Sequence, residues 1–452
     1  MRLRDRRRLV VVAASVAVAL AAGTAAWPGG HDHRSGHGGK DEGRLVGYFI
    51  QWGIYGRGYF VKNVLTSGSA SRLTHINYAF ANVAPRSPED PTIVCKSADS
   101  WADYVRPATP EDAVDGEGEF YDESVLHGSF NQLRKLKKMF PRLRVLISLG
   151  GFSFSGHFSD AALTRESRRA LATSCIDMFI KGNLPPVSPG GPVVDGSGFF
   201  DGIDIDWEWP GNCIAGCTSR PEDKQNFTLL LKEFRRQLDE AAGKRRGKKR
   251  YELTIFAPAA DFNIANLEVD RIHRSVDFLT LQGYDLHGSW ESTTNFHSPL
   301  FRAKRDPDQA TAAKFNLDFI VDAYLDRGAP RSKVVIGMPF YGRGWAGVPD
   351  VDHGLFQPAT GPAPGTFEAG LEDYRVLKGL EASYGSFRDR SSEGHWIYSP
   401  ESGIFWAYDN PRVARTKAKY ARRRDLGGVM FWDLSGDDAE GSLVKSLSRE
   451  LR

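Results

Sequence analysis

The chain has 452 residues, and its 59 Lys and Arg nearly balance its 56 Asp and Glu, which gives a formal net charge of +3. Five of the arginines fall within the first eight residues, so the remainder is close to neutral, which argues against a nucleic-acid or anionic-membrane partner. No repeat of 20 to 50 residues occurs, and this favours one large domain with insertions.

The N-terminus predicts a secretory signal followed by a linker. Five arginines precede an apolar run that begins at Leu9, and an Ala-Leu-Ala stretch at 19–21 offers a cleavage site, so residues 1–26 are predicted to be removed. An uncleaved membrane anchor is the alternative, but residues 9–27 are mostly Ala and Val with few large apolar residues. Cleavage would leave a charge of about −1. The Gly- and His-rich stretch 27–43 predicts a flexible linker, and we expect the mature protein to be secreted and extracellular.

Eight short apolar runs separated by amphipathic stretches recur from residue 44 onward. Such runs alternating with helices are typical of a parallel sheet covered by helices, and eight units predict a (β/α)8 TIM barrel over 44–452. An open doubly wound sheet is the alternative, but no Gly-rich phosphate loop follows an early strand. The predicted strands are RLVGYFI at 44, LTHINYAFA at 73, LRVLISLGG at 143, FFDGIDIDW at 199, ELTIFAPA at 252, VDFLTLQGYD at 277, KVVIGMPFYG at 333 and GGVMFWDL at 427. Four of the predicted helices begin at 129, 166, 223 and 311.

Two stretches between strands are too long for simple connections. Residues 83–128 contain Cys95 and predict a long, disulfide-tied loop over the barrel mouth. Residues 346–426 mix helix and strand patterns and predict a small α+β insertion between strands seven and eight. Insertions at the C-terminal face of a barrel deepen the cleft in which barrel enzymes place their chemistry.

The four cysteines of an exported protein predict disulfides. Cys213 and Cys217 are close enough in sequence to close one loop, which would leave Cys95 with Cys175, although four cysteines could form three pairings. A metal site at Cys213 and Cys217 is the weaker interpretation, because no CxxC motif or paired His accompanies them.

The fourth predicted strand contains DGIDIDWEWP at 201–210, which places three acids two residues apart in an apolar run. Because successive side chains on a strand point to opposite faces, Asp204, Asp206 and Glu208 share one face. Burial and mutual repulsion oppose the ionisation of all three, so at least one should hold a proton near neutral pH. A carboxyl that is still protonated at the working pH is what general acid catalysis requires.

Three other interpretations of this acidic strand carry less weight. A solvated outer face conflicts with the flanking Phe-Phe and Trp-Glu-Trp sequences. An EF-hand loop counted from Asp204 would place Trp209 where the glycine belongs and Ala215 where the bidentate glutamate belongs. A carboxylate-bound metal would need further ligands, and no His or additional acid lies close in sequence to supply them.

The other predicted strands end in aromatic and polar residues that would converge on the same mouth. Aromatic rings with hydrogen-bonding rims suit sugars, because a pyranose offers an apolar CH face and a polar edge. Trp432, at a strand end beside Asp433, is the residue for which a stacking role is most strongly indicated.

These motifs resemble the secreted bacterial chitinases of glycoside hydrolase family 18. DGIDIDWE matches the family's DxxDxDxE pattern, and SLGG at 148–151 matches its SxGG pattern. QGYDLHGSW at 282–290, GMPFYGRGW at 337–345 and FWDL at 431 extend the resemblance over residues 44 to about 440. One departure is Gln282, since many family members carry Met before the Tyr-Asp pair.

The resemblance implies a chitinase that uses a retaining, substrate-assisted mechanism without a metal or organic cofactor. Glu208 would be the acid, Asp206 would orient the substrate's acetamido group, Asp204 would hold the shared proton, and Tyr284 would donate to the acetamido oxygen, while Asp201 would be structural. Substrate contacts are predicted for Asp285, Trp432, Tyr48, Phe80, Gln282, Met338, Tyr341, Arg343, Trp209 and Gly151. The expected partners are chitin and N-acetylglucosamine oligomers, with no nucleic acid, no membrane after signal cleavage, and a monomeric protein.

Two alternatives remain on the sequence evidence. An endo-β-N-acetylglucosaminidase acting on N-glycans or peptidoglycan would use the same acidic motif, although the insertion and the aromatic motifs favour chitin oligomers. A non-catalytic chitin-binding lectin on the same fold would be expected to have lost the acid, whereas Glu208 is present.

Overall fold

The computed structural model describes residues 43–213, 217–243 and 250–451. The predicted signal peptide, the linker before residue 43, and most of the basic run at 244–250 lie outside the described residues. Across the described residues, no helix combines the length and the apolar character that a membrane crossing requires.

Eight parallel strands form a closed ring, because the first strand pairs with both the second and the eighth. Each strand coincides with one of the eight predicted apolar runs, so the predicted TIM barrel is confirmed. The barrel strands are β1 (Arg44–Ile50), β2 (His75–Pro85), β3 (Arg144–Gly150), β4 (Gly202–Asp206), β5 (Glu252–Ala257), β6 (Phe278–Leu281), β7 (Val334–Pro339) and β8 (Gly428–Trp432).

The barrel separates its hydrophobic residues into two layers. A large cluster fills the space between the strands and the surrounding helices, and a smaller, aromatic-rich cluster occupies the barrel interior beneath the mouth. Both layers follow from the alternation of side chains along each strand. The α-helices are Val61–Thr66, Gly128–Met139, Gly151–Phe154, Phe158–Leu163, Arg165–Cys175, Asp223–Ala242, Asp261–Ile264, Val269–Ile272, Gln309–Ala312, Leu317–Asp326, Tyr374–Leu380, Pro411–Arg423 and Ser442–Leu451.

The helix predicted from residue 311 is two helices, Gln309–Ala312 and Leu317–Asp326. The Asn316 side chain accepts a hydrogen bond of 2.9 Å from the Phe319 backbone N–H and therefore caps the second helix. Asn at such a position satisfies a backbone donor that the helix leaves free. The apolar periodicity therefore predicted helical structure correctly, but the prediction of one continuous helix was wrong.

The insertion between β7 and β8 has different bounds from those predicted. It begins with the strand Tyr341–Ala346, which pairs antiparallel with Ile404–Tyr408. Helix Pro411–Arg423, placed inside the insertion by the sequence pattern, packs against β7 and β8 and so belongs to the barrel. The remaining strands of the insertion are Gly361–Pro362, Leu371–Asp373, Gly385–Arg388 and His395–Ser399.

The long connection after β2 is more ordered than a loop. Strand Ile93–Ser97 turns back and pairs antiparallel with the far end of β2. Cys95 on this strand forms a disulfide with Cys175 at the end of helix Arg165–Cys175, and Cys213 pairs with Cys217, so the predicted pairing is confirmed.

The Cys95–Cys175 disulfide closes a loop with a sequence separation of 80 residues. Removing a native disulfide typically costs about 2–5 kcal/mol, and because the cross-link restricts the unfolded chain, longer loops lie at the upper end of this range. We expect the double variant Cys95→Ser/Cys175→Ser to lower the free energy of unfolding by that amount in urea denaturation while the far-UV spectrum stays unchanged. The matched variant Cys213→Ser/Cys217→Ser opens a much shorter loop and should lose less. Equal losses in the two variants would contradict this explanation.

Candidate active site

Asp204 lies at the centre of the barrel interior and is fully buried. Its carboxylate accepts hydrogen bonds from Tyr48 Oη (2.7 Å), Ser148 Oγ (2.8 Å) and Thr254 Oγ1 (2.5 Å). Ser148 and Thr254 are the residues that register with Asp204 on the two neighbouring strands, β3 and β5. Burial raises the pKa of Asp204 despite these hydrogen bonds, which stabilise the charged form.

Asp206 ends β4, and Glu208 follows it at the mouth of the barrel. The two carboxyl groups share a hydrogen bond. Burial raises the pKa of Asp206 well above its ordinary value, and the charges of Glu208 and Asp204 raise it further. Burial and the charge of Asp285 raise the pKa of Glu208 to about 8. The hydrogen bond with Asp206 lowers the pKa of Glu208 in turn, so the pair as a whole keeps a proton at neutral pH, which is what general acid catalysis requires.

The backbone of Glu208 is fixed by a residue that the sequence analysis missed. Its N–H donates to Ser155 Oγ (2.9 Å), and Ser155 Oγ in turn donates to the Gly151 carbonyl (2.9 Å). Ser155 is buried and follows β3 by only a few residues, so adjacent strand ends hold the acid in place. The sequence gives no signal for this role of Ser155, because a single Ser after a strand belongs to no recognisable motif.

Tyr284 and Asp285 follow β6 and face the acid. Burial opposes the charge of Asp285, but Arg343 and His297 outweigh it and hold the pKa of this carboxyl well below its usual range. Arg343 Nε donates to Asp285 Oδ1 at 2.8 Å. Burial and the charges of Asp206, Asp285 and Glu208 raise the pKa of the Tyr284 hydroxyl well above its ordinary value, so it stays a neutral donor.

An aromatic wall lies beside the acids. The Trp432 ring stacks on Phe80 with centroids 5.6 Å apart, and Trp52 lies 6.1 Å from both Phe80 and Trp432, so the three rings form one cluster. Gly151 is needed under Phe80, because it has a φ of 73° and an added Cβ would meet the Phe80 ring at 2.5 Å. Trp432 keeps part of its ring open to the cleft, as a sugar platform requires.

A cavity of about 340 Å³ opens beside Trp432 and was not anticipated. One wall comes from the barrel and the other from the insertion, so its residues are far apart in sequence. Arg57 forms an ion pair with Asp373 and lies 4.2 Å from the centroid of the Phe367 ring. The lining also includes Trp52, Tyr341, Glu368, Leu371 and Asp433.

Three predicted substrate contacts do not fit the structure. Met338 is 0% exposed and lies in the layer between strands and helices, on the same face as Phe431, so its side chain points away from the cleft. Tyr48 is 1% exposed, and its hydroxyl donates a hydrogen bond to Asp204, so its role is to hold the acids in place. Trp209 is 3% exposed and packs on Phe256 with ring centroids 5.4 Å apart.

The other predicted contacts surround the acids. Tyr341 packs edge-on against Tyr284 at 6.1 Å. Gln282 is partly exposed, and its side-chain oxygen accepts a 3.3 Å hydrogen bond from the Ala259 N–H. Trp290, whose ring centroid lies 5.1 Å from the Arg343 guanidinium, is a further exposed aromatic beside the site, which the sequence alone did not identify as a substrate contact. Among the residues that the structure describes, no group of three or more His, Cys, Asp or Glu side chains could hold a metal ion.

A closed parallel barrel with a buried row of acids at its mouth, one of them protonated at neutral pH, defines an enzyme of the TIM-barrel hydrolase class. Comparison with known proteins identifies the family. The family model described as glycosyl hydrolases family 18 matches residues 44–437. The chain belongs to glycosyl hydrolases family 18, which confirms the resemblance seen in its motifs.

The most similar relatives include two bacterial proteins and one solved structure. Chitinase C of Streptomyces lividans is 37% identical over 409 residues, which cover 88% of this chain and 58% of that protein. Chitinase A1 of Niallia circulans is 35% identical over 426 residues, covering 88% and 57%. The catalytic domain of the psychrophilic chitinase B from Arthrobacter TAD20 aligns with a TM-score of 0.83 and 39% identity, covering 91% of this chain and 95% of that one. The chain thus spans less than two thirds of the length of these two curated relatives.

Proposed function

We propose that this protein hydrolyses the β-1,4 bonds between N-acetylglucosamine units of chitin by a retaining, substrate-assisted mechanism. The observation that carries the proposal is the hydrogen-bonded Asp206–Glu208 pair at the mouth of the barrel, where burial raises the pKa of both carboxyls and that of Glu208 to about 8. Glu208 donates its proton to the glycosidic oxygen and later, as a base, removes one from the attacking water. Two successive inversions then retain the anomeric configuration.

The nucleophile comes from the substrate because the neighbouring carboxyls are otherwise engaged. Asp204 is fully buried and its oxygens accept three hydrogen bonds. Asp206 has a strongly raised pKa and shares a proton with Glu208, which makes it a poor nucleophile. Asp285 is ion-paired with Arg343. The acetamido carbonyl of the sugar supplies the missing nucleophile and closes an oxazolinium ring.

Asp206 and Tyr284 act on the same acetamido group. Once the Glu208 proton has left, Asp206 rotates toward the acetamido N–H, orients it, and stabilises the positive charge that develops on the ring. Tyr284 donates to the acetamido oxygen and holds it below the anomeric carbon. Trp432 carries the apolar face of this sugar, and the cavity lined by Arg57 and Phe367 takes the preceding units of the chain.

The names of the relatives support chitin as the substrate, and the aromatic wall fits a chain of pyranose rings better than a single sugar. The two disulfides and the signal-like N-terminus support export, and we expect the mature protein to begin near residue 27, outside the cell. We further propose that it acts as a monomer, without nucleic acid, membrane or cofactor.

Substrate choice is tested with two tetramers of equal length. We expect cleavage of chitotetraose and no cleavage of the fully deacetylated glucosamine tetramer, because the latter lacks the carbonyl that attacks the anomeric carbon. Equal cleavage of both tetramers would exclude substrate assistance. Cleavage of an N-glycan core or of peptidoglycan in place of chitotetraose would assign the alternative substrate. Binding of chitotetraose without cleavage would indicate a lectin.

The pH dependence of kcat/KM reports the state of the Asp206–Glu208 pair. Since Glu208 must be protonated, we expect kcat/KM to fall as the pH rises through about 8. Asp285→Asn removes a negative charge that raises the pKa of Glu208 and takes from Arg343 its nearer anionic partner, so the alkaline limb should move to lower pH. The control Asp103→Asn changes a buried carboxyl outside the site and should leave the limb in place. A limb that stays in place in Asp285→Asn, or moves to higher pH, would contradict the assignment.

A further inference from the structure

The turn that presents Tyr284 and Asp285 has an unfavourable backbone conformation. Asp285 has a φ of 57°, in the left-handed region that non-glycine residues seldom occupy. The chain on both sides of the turn is held by residues 297–298. Ser298 Oγ donates to the Gly283 carbonyl at 2.5 Å, and the Leu286 N–H donates to the His297 carbonyl at 3.0 Å. Ser298 therefore fixes the chain at the start of the turn, and His297 fixes it at the end.

Ser298 is held by a buried lysine from a distant element. Lys417, in helix Pro411–Arg423, is 0% exposed, and its Nζ donates to the Ser298 carbonyl (2.8 Å) and to Ser298 Oγ (2.5 Å). Its third partner is the Asp409 carboxylate, which is also buried. All three donors of the ammonium group are thereby used. The hydrogen-bond chain runs from Lys417 through Ser298 to the backbone immediately before Tyr284.

A buried ion pair is an inefficient way to stabilise a fold. The cost of removing both charges from water often equals their attraction, and an apolar pair of similar size is frequently as stable. Such a pair does, however, fix the orientation of its neighbours, since each N–H of a fully buried ammonium group needs a partner at hydrogen-bonding distance. The Lys417–Asp409 pair therefore suits the task of fixing Ser298 in one orientation.

We propose that Lys417 is a positioning residue of the active site: it orients Ser298 and, through Ser298, fixes the turn that carries Tyr284 and Asp285. The proposal rests on the proposed function, which gives these two residues their roles toward the acetamido group. Asp409 directly follows Ile404–Tyr408, a strand of the insertion, so the same pair ties the insertion to the catalytic turn. Loss of the pair should loosen the turn while leaving the acidic row of β4 intact.

The test uses the double variant Lys417→Met/Asp409→Asn, which removes both charges together. Its matched control is Lys137→Met/Asp201→Asn, a largely buried ion pair at the opposite end of β4. On chitotetraose we expect the first variant to lower kcat by roughly 10- to 100-fold, because misplacement of a transition-state donor acts on kcat. KM should stay within about twofold of the wild-type value. We expect the control to keep its kcat.

Hydrogen exchange of the Leu286 amide gives a readout that does not depend on activity. We expect exchange about tenfold faster or more in Lys417→Met/Asp409→Asn and unchanged exchange in the control. A kcat or an exchange rate equal to that of the wild type would overturn the proposal, as would an equal loss of kcat in both double variants. If the first variant does not fold, Ser298→Ala is judged by the same two criteria. If the wild-type protein cleaves no N-acetylglucosamine oligomer, the proposed function fails, and exchange alone decides the positioning role.

Discussion

Replacing Glu208 with Gln is expected to lower kcat on chitotetraose by roughly 10³- to 10⁴-fold, the upper part of the range for losing a general acid. Gln has nearly the same size as Glu, and the hydrogen bond from the backbone N–H of residue 208 to Ser155 Oγ is kept. The side-chain amide, however, is not acidic enough to protonate the leaving oxygen. The loss should appear in kcat, because the glycosidic oxygen needs the proton only as its bond breaks. Single-turnover rates on chitotetraose provide the measurement.

Two controls separate this result from a general loss of structure. The dissociation constant of Glu208→Gln for chitotetraose should stay near the wild-type KM, since the aromatic wall formed by Trp432 and Phe80 is untouched. Asp103→Asn, which changes a buried carboxyl that Tyr78 and Ser97 donate to, should keep wild-type activity. Substantial turnover by Glu208→Gln would show that another group acts as the acid.

The second large effect is expected for Asp206→Asn, with a loss in kcat of about 10²- to 10³-fold, as when one transition-state electrostatic partner is removed. The neutral amide keeps a hydrogen-bonding contact with Glu208 but cannot compensate the positive charge of an oxazolinium ring. The measurement is kcat on chitotetraose at two pH values below the alkaline limb expected near pH 8, so that loss of the proton from the wild-type pair does not enter the comparison.

Ser148→Ala is the matched comparison for Asp206→Asn. It removes one hydrogen bond to Asp204, one strand away from Asp206, and leaves the substrate-facing charge in place. A loss in Ser148→Ala as large as that in Asp206→Asn would mean that the acidic row needs only correct packing, and it would remove the case for a direct electrostatic role of Asp206.

The strands and the acidic row were predictable because their signals are local. Eight apolar runs mark the barrel, and the two-residue spacing of Asp204, Asp206 and Glu208 places them on one face. The disulfide pairing was also predictable, since the short Cys213–Cys217 spacing left Cys95 and Cys175 to pair. These features depend on chain order alone.

The predicted substrate contacts that do not fit depend on which face of a strand a side chain occupies and on how deep in the barrel it lies. On β7 both faces are apolar, so composition could not tell that Met338 points outward with Phe431. The Tyr48 side chain does face the barrel interior, but it lies below the mouth, where its hydroxyl donates to the buried Asp204. The cavity lined by Arg57 and Phe367 joins the barrel to the insertion, and a contact of this kind has no signature in sequence.

The anomeric form of the first product tests the central claim most directly. Proton NMR of chitotetraose, recorded during the first seconds of cleavage and before mutarotation, distinguishes the α- and β-anomers of the newly formed reducing end. Substrate-assisted retention predicts that the β-anomer appears first and decays later toward equilibrium. Initial appearance of the α-anomer would mean direct attack by water with inversion, and it would contradict the mechanism assigned to Glu208, Asp206 and the acetamido group.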